Sequence, residues 1–164
     1  MSAPSLPDPY TLASLVSNVT KTMCGIAFEP AEPQLADPTL CWKIAWLPIR
    51  GTRPISVAIS SDQSGCMALG AALFSCEPAD LDASMIDDSL RELLNMAAGQ
   101  IKSILALDQA LGLPKIIAEP ELSKQSLKAL REGVVLRSRG AVSLLIWITE
   151  SDTEPTQVDS RGVS

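Results

Sequence analysis

The stretch RELLNMAAGQ, residues 91–100, places polar side chains and a glycine at helical spacing. Glu92 and Asn95 are three residues apart, Asp88 precedes Glu92 by four residues, and Gly99 follows Asn95 by four. Residues three and four apart share one face of an α-helix. Leucine or alanine would stabilise such a helix better, because mid-helix glycine costs about 1 kcal/mol relative to alanine. The chemistry on offer is that of a carboxylate beside a carboxamide.

The sequence contains no histidine, which limits the chemistry of any active site. Ser-His-Asp catalysis, Cys-His catalysis and histidine-based metal hydrolysis all depend on that residue. No GxxxxGK[ST] or GxGxxG run is present, so no phosphate-binding loop is predicted. The four cysteines form no CxxC pair; we expect buried reduced thiols, with a redox role as the alternative. An enzyme with this sequence would use carboxylates, amides or hydroxyls, or groups of its substrate.

Length and composition indicate one globular domain. The chain has 164 residues, of which 46% are hydrophobic, and a formal net charge of −6. A nucleic-acid partner is not expected, because no cluster of lysine and arginine is present. The apolar runs are too short to span a bilayer, and the start MSAPSLPDPY does not resemble a secretory signal. A cytoplasmic protein is therefore expected.

The order of sequence patterns predicts an α+β fold. YTLASLVSNVTKTMCGIAF has helical spacing, and three strand-like runs follow a proline-rich loop: LCWKIAWLP, PISVAISS and GCMALGAALFS. A long helix should begin after Asp82 or Ser84 and stop at Gly112-Leu113-Pro114. A strand in PKIIAEP, a helix in PELSKQSLKALREG and a hairpin turning at Ser138-Arg139-Gly140 complete the chain. We expect an antiparallel-rich β-sheet packed against long α-helices.

Both ends of the chain are polar and rich in proline or serine. The predicted organisation is a flexible N-terminus at residues 1–9, a single domain at residues 10–149 and a flexible C-terminal tail at residues 150–164.

A helical wheel at about 100° per residue separates two faces of the long helix. The predicted core stripe consists of Ile86, Leu90, Leu93, Leu94, Ala97, Ile101, Ile104 and Leu105. Asp88, Glu92, Asn95 and Gly99 fall within about 60° of each other, nearly opposite that stripe. This face is either an ordinary solvated surface or a contact surface for a partner, whose backbone could lie close to a residue without Cβ.

The stretch DSLRELLNMAAGQI resembles the motif of the CheC/CheX/FliY family of chemotaxis phosphatases. Asp88, Glu92 and Asn95 match that family's Asp/Ser-x-x-x-Glu-x-x-Asn pattern, and Gly99 matches the glycine that follows it. LGLPKIIAE resembles the family's strand entry at Pro114, and VTKTMCGIAF resembles the end of its first helix. The resemblance extends over residues 8–149 and implies a CheC/CheX-like fold.

Members similar to CheC carry the motif on two related helices, whereas members similar to CheX carry it on one. The first predicted helix here has Asn18, but Leu15 stands where a glutamate would be needed. The chain is therefore similar to the CheX type.

The resemblance implies a phosphatase that hydrolyses the aspartyl-phosphate of a CheY-like receiver domain. Asn95 would orient the attacking water, Glu92 would pair with a lysine of the receiver, and Asp88 and Gly99 would contact the partner. The protein would need no cofactor or metal site of its own, because Mg²⁺ would come with the response regulator. Phosphoryl transfer gains mainly from positioning and electrostatics, so histidine is not required.

Two alternatives from other classes remain open. One is a non-catalytic module that binds a receiver domain or a flagellar-switch component through the same helix. The other is a structural dimer without such activity. A homodimer could form through the apolar run VSLLIWI as an edge strand, although an internal strand explains that run equally well.

Overall fold

The computed structural model describes residues 3–124, 128 and 131–156. Three α-helices and six β-strands make up the fold in this part of the chain, and the predicted α+β class is confirmed. In chain order they are α1 (Pro9–Cys24), β1 (Phe28–Pro30), β2 (Lys43–Ile49), β3 (Ile55–Ser61), α2 (Gln63–Phe74), α3 (Ala83–Ile104), β4 (Lys115–Ala118), β5 (Val134–Ser138) and β6 (Ser143–Thr149).

All six strands form one antiparallel sheet in the order β1-β5-β6-β3-β2-β4. Each of the seven residues of β3 is buried, because this strand lies inside the sheet and both of its faces are covered. β6 also has strands on both sides, so the run VSLLIWI is internal. The prediction of a homodimer formed through this run as an edge strand is therefore wrong. The edge strands of the sheet are β1 and β4.

The two faces of the sheet contact different partners. One face packs against all three helices and forms the main core with them. The other face carries Trp46 and Trp147, which pack with Leu40 and Cys41 of a 3-10 turn at Pro38–Cys41 and with Leu122. Alternate residues along each strand point to opposite faces, so both clusters draw on the same strands.

α3 forms where the sequence predicts it, and its start is well defined. Asp82 is the N-cap, and its carboxylate accepts a 2.8 Å hydrogen bond from the backbone N–H of Met85. The buried stripe predicted from the wheel is confirmed for most of its members, with Leu90, Leu94 and Ile101 fully buried. Ile104 is an exception, because 43% of its surface is exposed.

The predicted end of α3 is wrong. The helix ends at Ile104, eight residues before the expected stop at Gly112. Leu107 N–H donates to the carbonyl of Lys102 and Ala106 N–H to that of Ser103, which is the Schellman arrangement. Ala106 takes the left-handed conformation usually given to glycine (φ 53°), so no sequence signal marked this end. Gly112 instead packs on Pro48, where a Cβ would come within 2.8 Å of the proline carbonyl oxygen.

The prediction of a strand in the third run is also wrong, because GCMALGAALFS forms most of α2. Asp62 caps this helix by accepting a hydrogen bond from Gly65 N–H. α2 packs against α1, α3 and β3. It is apolar on most sides, and a short apolar run of this kind has no period that separates a buried helix from a strand.

The other predicted elements can be compared with the structure wherever their residues are described. The hairpin of β5 and β6 is confirmed, with its turn between Ser138 and Ser143. The expected loop in EPAEPQLADP is interrupted at its start by β1. The helix expected in PELSKQSLKALREG includes residues 125–127 and 129–130, which lie outside the described residues.

Residues at both predicted flexible ends contact the domain. Asp8 caps α1 through the N–H of Thr11, and Arg53 pairs with Glu150 at 2.8 Å. Thr156 forms a β-bridge with Leu122. Residues 157–164 lie outside the described part of the chain, so the domain bounds at 10 and 149 stay a prediction.

The burial of α3 predicts opposite effects on its two sides. Leu94→Ala should lower the free energy of unfolding by about 2–5 kcal/mol, because it removes a fully buried side chain. Met96→Ala, two residues away on the exposed side, should change it by less than about 0.5 kcal/mol. Urea unfolding followed by circular dichroism measures both. Equal losses would contradict the arrangement of α3 described above.

Candidate functional site

The four residues singled out on α3 lie together on its outward side. Asp88 and Glu92 are exposed, and Asn95 and Gly99 are half-buried. The buried residues of the helix lie on the opposite side: Ile86, Ser89, Leu90, Leu93, Leu94, Ala97, Ala98 and Ile101. The wheel therefore placed the polar face correctly, and the helix presents a carboxylate, a carboxamide and a bare backbone position on one surface.

Glu92 and Asn95 make no side-chain hydrogen bond or ion pair with any residue in the described ranges. Both side chains therefore keep their full hydrogen-bonding capacity for water or another molecule. A carboxylate accepts hydrogen bonds, and a carboxamide both donates and accepts them. Together they can bind a cationic group and orient a small polar molecule next to it.

Gly99 has no structural reason to be glycine within the described part of the chain. A Cβ built on it meets no atom within 4 Å, and its φ does not require glycine. Gly65 is different, because a Cβ there would lie 1.9 Å from the hydroxyl of Ser61. Gly99 therefore gives up helix stability without any internal packing gain.

Asp88 has a partner that the sequence reasoning missed. Its carboxylate pairs with Arg91 one turn further along α3, with 2.9 Å between Oδ1 and Nη1. Both side chains are substantially exposed, at 59% for Asp88 and 41% for Arg91. The spacing of three residues between an aspartate and an arginine could have signalled this pair.

A second ion pair fixes the first half of α3 to the sheet. Lys43, at the start of β2, lies 2.7 Å from Asp87, and only 22% of each side chain is exposed. The ammonium of Lys43 also lies 5.6 Å from the ring of Trp42. Lys43 and Asp87 are 44 residues apart, so no local pattern could have predicted this contact.

The first helix does not carry a second site of this type. Leu15 is only 3% exposed and belongs to the main core, whereas Asn18 is exposed. A glutamate at position 15 would bury its carboxylate in that core, which is costly for an unpaired charge. α1 therefore presents an asparagine without a neighbouring carboxylate, as expected from the sequence.

No disulfide joins the four cysteines, all of which lie in the described ranges, and no group of three or more potential metal ligands occurs there. Cys41 and Cys66 are buried as expected, whereas Cys24 and Cys76 are half-buried. Burial raises the pKa of the Cys66 thiol to about 12, and burial also raises the pKa of Cys24. A thiol with a raised pKa is a poor nucleophile near neutral pH.

No helix in the described ranges is long and apolar enough to cross a membrane. The family model of the chemotaxis phosphatase CheX matches residues 44–136, which is more than half of the chain. This range includes all of α3, β3 and β4, nearly all of β2 and the first part of β5. No protein with a curated description matches the sequence.

Solved structures of similar fold come from chemotaxis proteins. The chemotaxis protein CheX from Vibrio vulnificus superposes with a TM-score of 0.65 at 17% identity, covering 91% of this chain and 99% of that chain. A CheC-like protein from Shewanella gives 0.61 at 16% identity, covering 84% of this chain and 92% of that chain. The CheX-CheY-BeF3-Mg²⁺ complex from Borrelia burgdorferi gives 0.61 at 16% identity, covering 84% and 94%. At these identities the similarity establishes the fold.

The open space around Gly99 predicts that alanine stabilises the isolated protein. Gly99→Ala should raise the free energy of unfolding by about 0.5–1 kcal/mol, because helix propensity improves and nothing clashes. Gly65→Ala is the matched control and should lower it, because the new methyl group would collide with Ser61. Thermal or urea unfolding measures both. A destabilised Gly99→Ala variant would show that the glycine has an internal role.

Proposed function

The chain belongs to the CheX family of chemotaxis phosphatases, and we propose that it hydrolyses the aspartyl-phosphate of a CheY-like receiver domain. The observation that carries this proposal is the outward face of α3. Glu92 and Asn95 lie one turn apart on that face, and neither side chain has a partner among the described residues. A convex helix face of this kind suits insertion into the active site of another protein.

In this proposal, Asn95 positions the attacking water. Its carboxamide accepts a hydrogen bond from a water and holds it in line with the bond between phosphorus and the aspartyl oxygen. The water oxygen attacks phosphorus, that bond breaks, the carboxylate leaves, and the water protons remain with the inorganic phosphate or pass to solvent. An amide cannot act as a strong base, but phosphoryl transfer gains mainly from positioning.

Glu92 supplies the docking contact. Its exposed carboxylate pairs with a lysine of the receiver and fixes the register of the two proteins. Asp88 and Gly99 lie within the same contact surface, and the missing Cβ at Gly99 lets the partner approach the helix backbone closely. Mg²⁺ comes with the receiver in this proposal, so the chain needs no metal site of its own.

The relative from Borrelia burgdorferi supports the choice of partner. That CheX was solved together with CheY, BeF3 and Mg²⁺, and its fold is similar to this chain over 84% of the present sequence. A non-catalytic module that binds a receiver through the same helix is the second candidate. It predicts binding without any acceleration of phosphate loss.

Asn95→Ala distinguishes these two candidates. In this variant, the rate of phosphate loss from a radiolabelled receiver domain of the same organism, measured at a saturating receiver concentration, should fall about 100-fold. The reason is that the attacking water loses its orienting group. Binding of the receiver should persist, because the glutamate contact remains. The matched control is Asn18→Ala on α1, which removes an exposed asparagine outside the α3 surface and should leave the rate unchanged.

Two outcomes would contradict the proposed activity. Equal decay of the phosphorylated receiver with and without the wild-type protein would exclude catalysis and favour the binding module. A wild-type rate in the Asn95→Ala variant would exclude the assigned role of the carboxamide.

A larger side chain at position 99 tests the docking surface separately from the chemistry. Gly99→Leu should raise the receiver concentration needed for half-maximal rate about tenfold, because the isobutyl group occupies space needed by the partner. The isolated variant should fold normally, since the position is open. Met96→Ile, an apolar change at an exposed neighbouring position, serves as the control. An unchanged half-saturating concentration in Gly99→Leu would show that the partner does not approach this position.

A further inference from the structure

Arg91 is a cation at the edge of the outward face of α3. The proposed function assigns no role to it. It precedes Asn95 by four residues, which places it about 40° from Asn95 around the helix axis. Glu92 precedes Asn95 by three residues and lies about 60° from it on the other side. The carboxamide is therefore flanked by a guanidinium on one side and a carboxylate on the other.

Asp88 holds the guanidinium of Arg91 at the surface. The ion pair joins Nη1 of Arg91 to Oδ1 of Asp88 at 2.9 Å, and it is the one hydrogen bond that Arg91 makes to a residue in the described ranges. A guanidinium has five N–H donors, so four remain for another molecule. Holding one edge of the guanidinium reduces the side-chain freedom that Arg91 must lose on binding.

The negative charges on the docking surface and on the proposed substrate favour such a cation. This chain carries a net charge of −6, and both Asp88 and Glu92 on the docking surface are acidic. The proposed substrate, an aspartyl-phosphate, is an anion as well. Like charges at an interface slow association and weaken binding unless a cation compensates them.

We infer that Arg91, held by Asp88, recognises the phosphoryl group of the partner and makes docking depend on phosphorylation. Arginine binds phosphoryl oxygens through several parallel N–H bonds, which a lysine or a neutral amide does not reproduce. Arg91 is a specificity-determining residue in this account, and Asp88 is a positioning residue that acts through it. The inference rests on the proposed function, because it assumes that α3 meets a phosphorylated receiver.

Binding of a receiver domain activated with beryllofluoride and Mg²⁺ tests this role without requiring turnover. Beryllofluoride on the aspartate mimics the phosphoryl group. Arg91→Gln should raise the dissociation constant for the activated receiver about tenfold at low salt, and the difference should shrink at high salt. Binding of the same receiver without beryllofluoride should change less than twofold. Isothermal titration calorimetry measures each of these dissociation constants.

Arg139→Gln is the matched control for net charge. It removes one positive charge from an exposed position in the turn between β5 and β6, outside α3, and should leave the dissociation constant for the activated receiver unchanged. Equal weakening in both variants would overturn the inference, since the total charge would then explain the effect. Circular dichroism and thermal unfolding of each variant verify that α3 stays folded.

The double variant Asp88→Asn/Arg91→Gln separates direct recognition from simple neutralisation of Asp88. If Arg91 contacts the phosphoryl group, the double variant binds the activated receiver as weakly as Arg91→Gln does. Restoration of wild-type binding in the double variant would overturn the inference, because Arg91 would then serve only to cancel a neighbouring charge.

The outcomes for the inference and for the proposed activity are distinct. A wild-type protein that prefers the activated receiver but does not hydrolyse the phosphorylated one contradicts the proposed activity alone. A wild-type protein that hydrolyses it, with Arg91→Gln binding the activated receiver as wild type does, contradicts the inference alone. A wild-type protein with no preference for the activated receiver also overturns the inference.

Discussion

The packing of α3 on the sheet is the constraint on which the rest of the structure depends. Leu90, Leu94 and Ile101 are fully buried in the core that α3 shares with the sheet and the other two helices, so the helix cannot rotate about its axis without exposing them. Burial of one leucine or isoleucine contributes roughly 1.5–3 kcal/mol, and rotation would forfeit several such contributions at once. The opposite face of α3 must therefore point away from the core, and Glu92 and Asn95 lie on that face.

This arrangement separates stability from function within one helix. The buried side carries the apolar contacts, and the ion pair of Lys43 with Asp87 adds a fixed point at the sheet. The exposed side can then tolerate residues that weaken a helix, such as Asn95 and Gly99. The cost of these residues is small compared with the packing on the other side, so they can persist on a stable element.

The position of the candidate site followed from the sequence because a long amphipathic pattern identifies a helix and its outward face together. α2 was misread for the opposite reason, since GCMALGAALFS is apolar on most sides and carries no usable period. The end of α3 was misplaced because Ala106, a residue without a turn signature, adopts the left-handed conformation there. Contacts between distant segments, such as Lys43 with Asp87, leave no local pattern. The short-range spacing of residues thus predicted the outward face of α3, whereas the contacts that attach α3 to the sheet became visible only in the structure.

The central claim is that the face of α3 enters the phosphorylated site of a receiver domain. The most direct measurement is a crystal structure of this protein bound to its receiver in the presence of beryllofluoride and Mg²⁺. The account predicts the carboxamide of Asn95 facing the beryllium with room for one water molecule between them, and the carboxylate of Glu92 against a lysine of the receiver. A complex in which α3 lies away from the beryllofluoride, or in which another face of this protein contacts the receiver, would contradict it.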